Sequence, residues 1–218
     1  MNIDRLLIKG PRDNDFVPVD DEFGFYLVWR RLSAPEAKHD YADIAGTNGS
    51  YDGTEDYGEI FYNDRELALD CKFISSEWHE PYHDFLNRYH EQQCKIAFAN
   101  DPDWYWSGRV KVAEYDAKSH TLSMTAQVYP YKFRKYPTIV QSEGNEIVTL
   151  TNGRMRVVPT VTIDDDVTLK WGSTTKALQS STYPATFLIA GLELTEGQLA
   201  VEIVGETSVR FEYREGSL

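Results

Sequence analysis

The residues best suited to chemistry are His79-Glu80-Pro81-Tyr82-His83. They match H-E-x-x-H, in which two histidines one helical turn apart bind zinc and the glutamate activates water. His90, Cys94 and several carboxylates are candidate third ligands. Pro81 argues against a zinc hydrolase, because the motif needs a continuous helix through both histidines and proline opposes an established helix on its N-terminal side. The plainer reading places His79 and His83 half-exposed on the first turn of an amphipathic helix. A second cluster runs from His39 to Asp64: seven carboxylates (Asp40, Asp43, Asp52, Glu55, Asp56, Glu59, Asp64), four glycines and no Lys or Arg. Asp52-x-x-Glu55-Asp56 permits a calcium loop without the EF-hand pattern; a pore lining, an assembly loop and a solvated acidic loop are the alternatives. The third is Asp101-Pro102-Asp103-Trp104-Tyr105-Trp106-Ser107-Gly108-Arg109, aromatics after a tight turn. Such rings stack on sugars or bases, and more often pack sheets and subunit contacts.

The elements that must carry these residues are mostly strands. FGFYLVWRRL, EIFYNDRELALDCKFI, CKIAFAN, WYWSGRVKVAEYD and HTLSMTAQVYPYKF alternate or are β-branched. Between them, Trp78, Tyr82, Phe85, Leu86 and Tyr89 form one apolar helical face. Ser75 or Ser76 suits the N-cap, and Pro81 fits only the first turn, so the helix begins between Glu77 and Glu80. After a polar boundary at 134–144, EIVTLTNG, MRVVPTVTID, DVTLKWGS, ATFLIAGLEL, QLAVEIVGE and VRFEYREG read as an all-β sandwich. The fold class is mainly β with one helix (α+β), in two domains, 1–135 and 136–218.

Composition narrows the function. A net charge of −13 over 218 residues disfavours electrostatic grip on nucleic acid and adsorption to anionic membranes. No segment approaches a membrane span, and the N-terminus lacks a signal-peptide pattern. Cys71 and Cys94 are most simply reduced and buried, with one bridge left open. No G-x-S-x-G, P-loop or dinucleotide fingerprint is present. No cofactor and no metal are expected.

The order of these strings resembles one family. YGEIFYNDREL resembles the G-x-x-x-Y-x-N-R-x-L stretch of siphophage distal tail proteins. CKIAFANDPDWYWSGRV is similar to their D-D-P-x-Y-Y-x-G-R strand, and YPYKF to their terminal P-Y-K. DIAGTNGSYDGTED stands where the family has a P-G-R-D-G loop, with its Pro, Arg and Asp replaced. NGRMRVVPTVTI, AGLELTEGQLAVEI and FEYREGSL resemble the family's C-terminal sandwich.

The resemblance implies a tail-tube-like N-terminal β-sandwich or barrel with one packed helix, and a C-terminal galectin-like β-sandwich. It implies a non-enzymatic virion protein of a long non-contractile tail, of a phage or prophage, assembled in the bacterial cytoplasm. Six copies would close a hub ring, single or stacked, between the tail tube and the tip or baseplate. Its partners would be further copies, the tail tube protein, the tail-associated tip protein and the tape-measure protein, with DNA passing through an acidic channel without specific binding. Asp43, Asn48, Asp52, Arg65, Trp104, Tyr105, Trp106 and Arg109 are the expected ring contacts; for Arg65 and Arg109 a buried or local ion pair is the alternative. The rival functions are a carbohydrate-binding module on the C-terminal sandwich, with Trp171 as the sugar contact, and a tail-tube subunit forming long tubes.

Overall fold

The computed structural model describes residues 4–73, 75 and 77–218. The chain divides into two compact units, Met1–Lys132 and Phe133–Leu218. The first runs β1 (Leu6–Lys9), β2 (Val17–Pro18), α1 (Val19–Phe23), β3 (Phe25–Leu32), β4 (Tyr41–Asp43), β5 (Ser50–Asp52), β6 (Arg65–Phe73), α2 (His79–Tyr89), β7 (Gln92–Phe98), β8 (Asp101–Asp116) and β9 (Thr121–Val128).

Its main sheet has the order β2-β1-β7-β8-β9-β6-β3. The two ends of that path are joined in sequence by α1 and Gly24 alone. Laid flat, such a sheet would separate its edges by roughly 29 Å at about 4.8 Å per strand. Five helical residues advance only about 7.5 Å, so the sheet must curl until its edges approach. Gly24 makes the turn, with φ 72° and its amide on the Asp20 carbonyl at 3.1 Å. Arg30 of β3 closes the gap: it meets Asp4 at 3.0 Å and donates to Asn100 at 3.2 Å. Its guanidinium also lies 3.9 Å from the Phe98 ring centroid.

The curled sheet buries Ile8, Leu67, Leu69, Ile96, Leu122 and Met124 against α1 and α2. Phe85 stands 4.9 Å from Phe25 and 5.3 Å from Phe23, both edge-on. Each such pair adds about 0.5–1.5 kcal/mol beyond area burial. Arg88 of α2 donates to Asp13 at 2.7 Å and to Glu22 at 3.0 Å. Asp13 also accepts from the Gly10 amide at 2.8 Å and the Tyr89 hydroxyl at 3.0 Å. One carboxylate thus ties the β1–β2 turn to α2.

The second unit is a β-sandwich. β10 (Lys132–Arg134) crosses the junction, and the strands β11 (Thr138–Ser142), β12 (Ile147–Asn152), β13 (Thr160–Ile163), β14 (Val167–Trp171), β15 (Thr174–Leu178), β16 (Ala185–Leu188), β17 (Gly197–Val204), β18 (Val209–Tyr213) and β19 (Gly216–Ser217) follow. The sheets β11-β18-β13-β16 and β12-β17-β14-β15 enclose Leu150, Val161, Ile163, Leu169, Val201, Ile203 and Phe211.

The mainly β class with one long helix is as the sequence implies. The helix start at His79, with Pro81 in the first turn, falls where expected; four other details differ, its unbroken run through His83 among them. The polar stretch 134–144 contains β11, paired with β18; Pro137 and Gly144 masked it. EIFYND is not part of β6, which starts at Arg65. The helix begins at His79 and is continuous through His83, because Pro81 still lies in the first turn, where proline costs no hydrogen bond. Its N-cap is Trp78 rather than Ser75, whose hydroxyl instead accepts the Glu77 amide at 3.0 Å; Ser76 lies outside the described residues. Both cysteines are free and buried, and burial pushes the Cys94 thiol up to about 12.

Gly108 of β8 is fixed by close approach: a Cβ there would meet the Gln127 carbonyl oxygen at 2.2 Å. Gly108→Ala should therefore cost at least about 1–3 kcal/mol, the range for forced overpacking, read as a lower denaturant midpoint. Asp13 gives a pH signature. Burial opposes its ionisation, but the Gly10 amide, Arg88 and Tyr89 outweigh burial and hold its pKa below the ordinary value. Its contribution is complete above the unfolded value of about 3.9 and is lost as pH falls through the folded one. Asp13→Asn should lower stability at pH 7 and flatten the loss between about pH 5 and pH 2 in denaturant titrations.

Candidate functional site

Between β3 and β6 the chain leaves the sheet as a long arm, residues 33–64. Its root is a narrow ladder: Ser33 donates to the Glu66 carbonyl at 2.9 Å, Lys38 to Phe61 at 2.7 Å and Asn63 to Glu36 at 2.8 Å. Beyond it β4 and β5 pair with each other, and among the described residues with no other strand. Every residue of both strands is exposed. Gly46 and Gly49, at φ 87° and 80°, turn the tip.

Short polar contacts shape the arm. Ser50 donates to Asp43 at 2.6 Å, Tyr51 to Asp56 at 2.8 Å and Gly53 to the Asp40 carbonyl at 2.8 Å. The Thr54 hydroxyl and amide both donate to Asp52 and hold its pKa below the usual carboxylate value. The hydrogen bond to Asp56, with the surrounding carboxylates, pushes the Tyr51 hydroxyl up. Among the described residues no group of three or more His, Cys, Asp or Glu is placed to hold a metal ion.

The arm also exposes apolar surface: Tyr41, Ile44, Tyr51, Tyr57 and Phe61 stand open, Tyr57 at 76%. On the neighbouring edge strand β3, a bulge between Leu27 and Trp29 turns Val28 and Trp29 outward. Exposed apolar surface that is contiguous and larger than a few hundred Å² is characteristic of interaction sites; these side chains are individually exposed. The sequence reading registered the carboxylates and passed over these rings, which are spaced by Gly and Asp without strand or helix period.

The expected contact residues fall into two groups. Asp43, Asn48 and Asp52 lie together on the exposed hairpin. The others lie on the body of the unit. Trp106 is buried in the core, and Tyr105 is buried on the opposite sheet face beside Phe16, at 6.1 Å. Trp104 is half-buried, with the Lys132 ammonium 4.9 Å over its ring. Arg109 is exposed and donates to the Glu91 carbonyl. Arg65 is buried at the arm's root, donating to the Ser33 carbonyl at 2.8 Å with its guanidinium 5.0 Å from the Trp106 ring.

Two further candidates are corrected or relocated. Trp171 is 7% exposed in the sandwich core, its indole donating to the Gly191 carbonyl at 3.1 Å; it presents no ring face to a sugar. His79 stacks on Trp78 at 3.7 Å, and the His83 ring lies 5.5 Å from Tyr82. Among the described residues no helix is long and apolar enough to cross a membrane.

No family model and no curated protein matches the chain. Among solved structures, the Dit protein of phage SPP1, described as a paradigm of the hub adsorption apparatus in phages infecting Gram-positive bacteria, superposes with a TM-score of 0.66. The match covers 96% of this chain and 98% of that one at 13% identity. This chain has the fold of a phage distal tail protein. A chain of the phage P2 baseplate in its activated, calcium-bound conformation aligns over 99% of both chains at 8% identity, with a TM-score of 0.45, too low to bear on the fold. In this fold the hairpin β4–β5 pairs, among the described residues, with no strand of the main sheet, and Tyr41, Ile44 and Tyr51 on it are exposed.

Tyr41→Ala, Ile44→Ala and Tyr57→Ala should each change the stability of the dilute protein by less than about 0.5 kcal/mol, as for exposed sites. Phe85→Ala should cost about 3–5 kcal/mol. Equilibrium denaturation of the four variants distinguishes arm from core.

Proposed function

We propose that the chain is a structural, non-enzymatic tail-hub protein of a phage or prophage with a long non-contractile tail. The observation that carries the reading is the end-to-end match of both units to a hub protein fold, joined to an arm whose rings are left in water. Six copies close a ring between the tail tube and the tip or baseplate. The tail-tube-like domain, residues 1–135, forms the ring, and residues 136–218 are its galectin-like sandwich. The partners are further copies, the tube protein, the tip protein and the tape-measure protein, in a virion tail assembled in the host cytoplasm.

Physical chemistry supports this reading. Head-to-tail interfaces close a cyclic oligomer and bury aromatic anchors, the residue type the arm displays. A chain of net charge −13 repels phosphates, so a ring of such chains lets DNA pass rather than adhere. The sugar-binding alternative is weaker: with Trp171 in the core, Tyr136 is the one strongly exposed aromatic among the described residues of the second unit.

Light scattering across concentration and salt tests the ring. A discrete mass near six times 25.1 kDa is the expected result. Open-ended tubes would replace the hub with a tail-tube subunit, and a monomer at every concentration would remove self-closure.

A further inference from the structure

We propose that Arg65 is the positioning residue of the arm: its guanidinium fastens the arm's root to the segment after β9 and so sets the direction in which the hairpin leaves the sheet. The root ladder alone does not do this. Ser33 and Glu66 exchange hydrogen bonds at 2.9 and 3.0 Å, which hold the arm's first residue on β6, itself paired with β9, but do not reach the segment after β9. Arg65, the first residue after the arm, adds a third anchor. Its Nε donates to the Ser33 carbonyl at 2.8 Å and its Nη1 to the Pro130 carbonyl at 3.4 Å. A second tie runs parallel: the Tyr62 ring meets Tyr131 edge-on at 6.0 Å, 89° between planes.

The choice of an arginine here needs a reason. The residue is 7% exposed, and burial lowers its pKa. A buried cation held by carbonyls and an indole is costly beside a methionine of similar length. Methionine cannot direct two hydrogen bonds along the fixed fork of a guanidinium. The exchange of stability for a defined arm direction accounts for the cation. It also gives Tyr62 and Arg65, which sit together in YGEIFYNDREL, one joint purpose. The consequence for ring closure rests on the hub reading; the effect on the arm does not.

The test is a pair of spin labels on the full chain, at Asn48→Cys on the arm tip and Lys118→Cys on the β8–β9 turn, both exposed. Cys71 and Cys94 are buried and stay unlabelled. Distances are measured by pulsed electron resonance at a dilution where light scattering gives a monomer. The expected result is a narrow distribution in the parent and one roughly twofold wider in Arg65→Met, as when a local contact holding a segment is lost, with Arg65→Lys between them and the circular dichroism unchanged. An equally narrow distribution in Arg65→Met overturns the proposal. If Arg65→Met does not fold, Arg65→Lys, which keeps the charge and loses the fork, takes its place: widening supports the proposal and an unchanged width overturns it. A parent that never assembles at high concentration, yet whose arm loosens in Arg65→Met, removes self-closure of the ring and leaves the positioning role standing.

Discussion

The first unit depends on bringing together two sheet edges that the strand order places far apart. Only α1 and Gly24 connect β2 to β3, so the sheet can satisfy its chain connectivity only by curling around its core. The seam then needs polar closure, which Arg30 supplies through Asp4, Asn100 and the Phe98 ring. Arg5 adds an ion pair to Asp20 at 2.8 Å, tying the start of β1 to α1. The same curl provides the concave side into which Phe23, Phe85 and Tyr89 pack. Loosening the seam would expose that aromatic cluster, so closure and core formation are one event.

Much of the exposed apolar surface of this unit lies on the arm. β3 and β6 are neighbours in the sheet, and a tight turn would suffice to join them. Instead residues 33–64 intervene, acidic, glycine-punctuated and rich in exposed rings. On the proposed hub reading, the next copy of the chain would cover their exposed apolar surface. The polar contacts within the hairpin, Asp43 with Ser50 and Asp56 with Tyr51, keep it shaped before that partner arrives, which limits the entropy lost on docking.

Much of this was legible in the sequence, and the failures have physical causes. Period-2 runs such as RELALDCKF and TLSMTAQV announced their strands because one face is buried and the other wet. The helix face from Trp78 to Tyr89 was equally plain, since Phe85 and Tyr89 pack at helical spacing. β1, β2 and α1 were missed because each is five residues or fewer and owes its structure to neighbours distant in sequence. Trp171 was misjudged for a related reason: residue type marks it as a surface binder, and only tertiary context shows its indole in a sandwich core. For Arg65, offered as a ring contact or an ion-pair partner, the same context shows a buried guanidinium on backbone carbonyls beneath the arm. The carboxylates of the arm were visible from composition; its exposed rings were not, because exposure is a property of the fold around a residue.

The most direct test of the account is amide hydrogen exchange of the arm in dilute and in assembled protein. If the arm is the docking element, residues 41–57 exchange freely in the monomer and become protected on assembly, while the strands of the curled sheet stay protected in both. An assembled particle in which the arm exchanges as fast as in the monomer would contradict the account and place the subunit contact elsewhere.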